Sequence, residues 1–90
     1  MAQIITTNDQ SITVEPKNGI DFKLEEIQEI IGGYMECVYL PNKLIMVVDE
    51  EGKIKNKPVN YAATAIFQAK YGNSDIIVGD VLLCKSSQIK

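Results

Sequence analysis

The apolar run Leu44-Ile45-Met46-Val47-Val48 ends abruptly in Asp49-Glu50-Glu51-Gly52, and this does most to limit what the chain can become. Such a run reads as a strand, and the acidic turn that stops it fixes where the strand ends. A link carrying Lys53, Lys55 and Lys57 follows. Pro58-Val59-Asn60 then opens an alanine-rich helix, with Asn60 as a natural N-cap. Polar groups of both signs therefore surround one strand-to-helix junction.

Residues 2–7 predict a first strand centred on Ile4 and Ile5. Residues 8–11 predict a turn of side chains that bond local backbone. Ile12-Thr13-Val14 alternates as a second strand, broken over 16–19. Ile20, Leu24, Ile27 and Ile31 recur as one apolar stripe, so a helix is expected over 21–31. Asp21 would be its N-cap, Glu25, Glu26 and Glu29 its wet face, and Gly32-Gly33 its end. Strands over 34–40 and 43–48 would join through Pro41-Asn42. A second helix over 60–71 would stop at Gly72, with Ala62, Ala65, Ile66 and Ala69 as a small-residue face. Ile76-Ile77-Val78 and Val81-Leu82-Leu83-Cys84 read as two final strands, with Gly79-Asp80 as a turn or bulge between them. Residues 86–90 are expected to fray. The order β-β-α-β-β-α-β-β implies one α+β domain over residues 1–90, a mainly antiparallel sheet with two helices packed on it.

Composition narrows the chemistry. Histidine is absent, which removes the commonest general base and transition-metal ligand. The net charge is −3 and all positive side chains are lysines. General nucleic-acid binding, which needs a basic face, is disfavoured, as are arginine forks on phosphate. Cys37 and Cys84 lie in apolar runs without metal-ligand or disulfide spacing, so both are expected as buried thiols. Asp49, Glu50 and Glu51 lack the alternating ligands of a calcium loop and read as a solvated turn. No metal site, cofactor or catalytic residue is expected, nor enzymatic activity. With no apolar run long enough to span a membrane and no basic, apolar leader, the expected location is the cytoplasm.

Binding is easier to derive than catalysis. A helix that starts at Asn60 points its free N–H groups and its dipole toward the preceding link, which favours anions. Asn60 and Thr64 are one turn apart on one face and offer an amide and a hydroxyl. The competing reading is that Asn60 only caps the helix, Thr64 bonds a carbonyl and the lysines are solvated. Glu36 shares a strand face with Tyr34, Val38 and Leu40, either as a carboxylate reaching solvent or as one lining a pocket.

Gly32-Gly33-Tyr34-Met35-Glu36, Val47-Val48-Asp49-Glu50-Glu51-Gly52-Lys53, Pro58-Val59-Asn60 with Ala63-Thr64, and Asp75-Ile76-Ile77-Val78-Gly79-Asp80-Val81 occur in this order. Together they resemble a family of small proteins of unknown function from phages, plasmids and low-GC bacteria, over about two-thirds of the chain. The resemblance implies a mobile-element protein working by occupation rather than turnover. The leading expectation is a homo-oligomer that binds, and in the host cytoplasm sequesters, a small polar ligand such as a nucleotide-derived immune signal. Tyr34, Glu36, Asp49, Glu50, Lys53, Asn60, Tyr61 and Thr64 are the candidate ligand residues, a tyrosine supplying the stacking ring. The alternative is an interaction module that docks on and inhibits a host protein.

Overall fold

The last strand of the chain lies at the centre of the sheet. The computed structural model describes residues 2–89. Its strands are β1 (Ala2–Ile5), β2 (Ser11–Val14), β3 (Met35–Leu40), β4 (Leu44–Asp49) and β5 (Val81–Lys85), with helices α1 (Leu24–Ile31) and α2 (Tyr61–Tyr71). The sheet order is β2-β1-β5-β4-β3, and every neighbouring pair is antiparallel. Two hairpins, β1–β2 and β3–β4, are joined only when β5 inserts between them. This is the expected α+β architecture, with five strands where the sequence suggested six.

The helices cover opposite faces. Ile45, Val47, Leu82 and Cys84 cluster with Phe22, Ile27 and Ile31 of the α1 side. Their neighbours Met46, Val48 and Val81 cluster instead with Ala63, Ile77 and Leu40, and Ile66 and Phe67 of α2 pack against them. Side chains alternate across a strand, so β4 and β5 are lined by apolar residues on both sides.

Helix α1 begins later than the stripe suggests, at Leu24, with Lys23 rather than Asp21 as N-cap. Asn18 engages Asp21 instead, accepting from its N–H and donating to its carboxylate. The capping group is Glu26, whose carboxylate accepts the N–H of Lys23 and of Lys17. Ile20 and Leu24 are consequently exposed, and Phe22 fills the space expected for them. In α2 the N-cap Asn60 and the stop at Gly72 fall where expected. Its buried residues are Ala63 and Thr64, whereas Ala65 and Ala69 face solvent.

The run 76–78 is not a strand; Val78 makes a single bridge to Val59. The tail expected to fray makes several contacts over 86–89. Ser86–Gln88 forms a helical turn, Phe22 N–H donates to Gln88 C=O at 2.8 Å, and Ile89 packs on the α1-side core. Lys90 lies outside the described residues. Cys84 is buried, Cys37 half-buried, and both are free. Strand β4 separates them, about 10 Å at the usual strand spacing, beyond the roughly 7 Å that a disulfide spans. Among the described residues no helix is long and apolar enough to cross a membrane.

Candidate functional site

The junction after β4 folds around Asp49, whose side chain is 1% exposed. One oxygen, Oδ1, accepts the Glu51 N–H at 2.9 Å, a local turn bond. The other, Oδ2, receives Lys55 Nζ at 2.9 Å and Lys57 Nζ at 2.7 Å. The same ammonium groups reach the end of α1, Lys57 to Ile31 C=O at 2.7 Å and Lys55 to Gly32 C=O at 3.1 Å. These are the carbonyls a helix leaves unsatisfied, at its negative end. Two lysines thus bind a buried carboxylate to a helix terminus. Burial pushes the Asp49 carboxyl up, but hydrogen bonds from Lys57, Lys55 and the Glu51 N–H outweigh it and hold the pKa at about 2.

The glycines of the junction make room for this cluster. A Cβ on Gly33 would lie 2.5 Å from Asp49 Oδ1 and 2.6 Å from Lys55 Nζ. One on Gly79, at φ +77°, would lie 2.8 Å from Lys57 Cδ.

Asn60 and Thr64 form a second cluster, directed inward. Asn60 is fully buried. Its Oδ1 accepts the Ala63 N–H at 3.0 Å, and its Nδ2 donates to Ile5 C=O and Gly79 C=O, both at 2.9 Å. Its own N–H donates to Ile77 C=O at 2.8 Å. Thr64 Oγ1 donates to Ile77 C=O at 3.2 Å and accepts Ile77 N–H at 2.9 Å. Asn60 and Thr64 therefore replace a neighbouring strand for the 76–79 segment. A ligand at the helix N-terminus would find these groups already engaged.

The other candidates lie at the surface and partly converge. A pocket of about 160 Å³ between β3, β4, α2 and the 75–78 segment is lined by Glu36, Glu50 and Lys53; Asp49 borders it, but its carboxylate is turned to Lys55 and Lys57. Val38, Phe67 and Ile77 supply an apolar wall. Lys53 pairs with Asp75, whose carboxyl is held below its ordinary value by that lysine and by the Ile76 N–H. Tyr34 and Tyr61 are exposed and stand outside this pocket. Glu36 is thus a pocket carboxylate that also reaches solvent. Sequence reading missed Phe67 and Asp75. Asp75 follows the turn after a helix stop, and nothing local pairs it with Lys53, 22 positions away.

Among the described residues no group of three or more His, Cys, Asp or Glu is placed to hold a metal ion. Burial pushes both thiols up, Cys84 to about 11, so neither is an activated nucleophile. The pocket offers hydrogen-bond acceptors, one ammonium and an apolar wall, a set suited to holding a molecule.

Comparison with curated proteins and with solved structures gives no match. Residues 3–89 match the family described as a domain of unknown function, DUF3846, and the chain belongs to that family.

Proposed function

We propose that this protein is a non-catalytic binding protein whose pocket, formed by Glu36, Glu50, Lys53 and Phe67, holds a small polar ligand. The observation that carries the reading is convergence. Glu36 comes from β3, and Glu50 and Lys53 from the loop after β4, yet all three line one pocket with an apolar wall. Small-molecule sites commonly combine such a wall with a few placed polar groups. The two exposed carboxylates accept from vicinal hydroxyls or an amine, Lys53 donates to a carbonyl or a single anionic oxygen, and Phe67 meets a ring. A nucleoside has all three features, and a pocket of about 160 Å³ takes part of it, the rest lying at the surface. The excess of carboxylates repels phosphate, so a nucleotide would sit with its phosphates directed out to solvent.

Lack of histidine and of an activated thiol supports binding without turnover. In a mobile-element protein, such binding would serve to sequester a nucleotide-derived host signal. Native mass spectrometry of freshly purified protein, followed by melting with nucleosides and linear and cyclic nucleotides, tests the reading. At a hundredfold excess over Kd, a ligand stabilises by about 2.7 kcal/mol. That raises Tm by on the order of 10 °C in a domain of this size. No retained mass and no Tm shift with any of the panel would remove the proposal.

A further inference from the structure

Strand β3 forms one edge of the sheet, and its hydrogen-bonding directions are fixed by its neighbour. Glu50 N–H donates to Tyr34 C=O at 2.8 Å, so the backbone of Tyr34, Glu36, Val38 and Leu40 faces β4. By alternation the backbone groups of Met35, Cys37 and Tyr39 point away from the sheet. Tyr39 C=O agrees, accepting Tyr71 OH at 2.5 Å and Lys70 Nζ at 3.0 Å from outside. Among the described residues, β3 pairs only with β4, and nothing meets the outward groups of Met35 and Cys37.

Such edges are ordinarily guarded by lysine, proline or a bulge. The six-residue strand Met-Glu-Cys-Val-Tyr-Leu contains none of these and carries a single charge, and Lys70 and Tyr71 of α2 cover its edge only at Tyr39. Tyr39, 63% exposed, stands on this edge.

We infer that β3 pairs with β3 of a second copy of this chain, antiparallel about a two-fold axis at Cys37, to give a ten-stranded sheet across the dimer. The register follows from what the alternatives cost. Centred on Cys37, Met35 faces the partner's Tyr39, and Glu36 faces the partner's Val38. Centred one residue earlier, Glu36 would face the partner's Glu36, and like charges directly opposite are destabilising. Centred on Val38, Met35 would face the partner's Pro41, and centred on Tyr39, Cys37 would do so; proline has no N–H to give. Centred on Met35, it would face the partner's Gly33, whose backbone packs against Asp49 and Lys55.

Tyr39 C=O must exchange one of its two donors for the N–H of the partner's Met35. Both donors come from exposed side chains, so the exchange costs little. The opposite edge, β2, is only four residues long and largely exposed. Pairing β2 with a partner's β3 would be heterologous and would extend openly, whereas β3 with β3 closes after two chains. This inference is independent of the pocket and its ligand.

Sedimentation and amide hydrogen exchange of the unmodified protein test it together. The protein should sediment at twice the 10.0 kDa chain mass. Exchange at the Met35, Cys37 and Tyr39 amides should slow by about tenfold or more as concentration rises through the dimer transition. A monomer at NMR concentrations overturns the inference. So does a dimer in which these three amides exchange as freely as those of an exposed loop.

Discussion

Lys57 Nζ lies 2.7 Å from Asp49 Oδ2 and 2.7 Å from Ile31 C=O, so a single ammonium group ties the end of β4 to the end of α1. With Lys55 making the parallel connection to Gly32, the acidic turn that dominates the sequence becomes an internal anchor. Replacing Asp49 with asparagine should therefore destabilise by about 2–3 kcal/mol in urea unfolding. The loss is smaller than the roughly 3–5 kcal/mol of a fully buried broken pair, because both lysines retain contact with water.

The same pair sets an acid limit. The folded-state pKa of Asp49, about 2, lies below its unfolded value of 3.8. Its contribution is therefore complete above pH 3.8 and is lost as pH falls through 2, and amounts to about 2 kcal/mol. Stability measured from neutral pH downward should drop in this window. The D49N variant should lack that part of the drop, and an acid profile unchanged by the substitution would contradict the anchor.

Gly33→Ala should destabilise by about 1–3 kcal/mol, since its Cβ would displace either the Asp49 carboxylate or the Lys55 ammonium. Because the two sites share partners, the cost should shrink by more than about 0.5 kcal/mol in the D49N background. A double-mutant cycle by urea unfolding measures this, and additive effects would place the Gly33 constraint elsewhere.

Asn60 allows capping to be separated from clamping. Aspartate caps helices as well as asparagine does. Here, however, Asn60→Asp would turn carboxylate oxygens toward the carbonyls of Ile5 and Gly79. The variant should lose about 2–4 kcal/mol, from two orphaned acceptors and a buried charge. If Asn60 were only a cap, N60D would unfold within about 0.5 kcal/mol of the parent.

Lys43 occupies the left-handed region at φ +62° in the turn between β3 and β4, directly after Asn42 at φ +63°. Asparagine tolerates that conformation, but lysine is strained in it. Lys43→Gly should raise stability by up to about 1 kcal/mol, read as a higher urea midpoint with an unchanged slope.

What the sequence made legible was what short-range chemistry decides. Asn60 and Gly72 delimit α2 because capping and left-handed stops are local signals, and Pro41-Asn42 marks the β3–β4 turn for the same reason. Sequence patterns mislead where distant groups prevail. Ile76-Ile77-Val78 has strand composition, but Ile77 is held by Asn60 and Thr64 rather than by a strand ladder, and the next residue after the run, Gly79, donates to Pro58 C=O. Asp21 resembles an N-cap, yet Glu26 reaches back to close the helix. Asn60 and Thr64 do act together, as an amide and a hydroxyl on one helix face. Their spacing could not reveal that the face points into the protein. Glu36, Glu50 and Lys53 share a pocket only through pairing of β3 with β4 and folding of the link over Asp75, which no local pattern encodes.

The most direct test of the binding account is amide shift mapping of the labelled protein titrated with adenosine and with a cyclic nucleotide. The account predicts saturable shifts concentrated at Glu36, Val38, Glu50, Lys53, Phe67 and residues 75–78, abolished in E36Q/E50Q while the rest of its spectrum is unchanged. An absence of shifts at millimolar ligand, or shifts gathered away from this pocket, would contradict it.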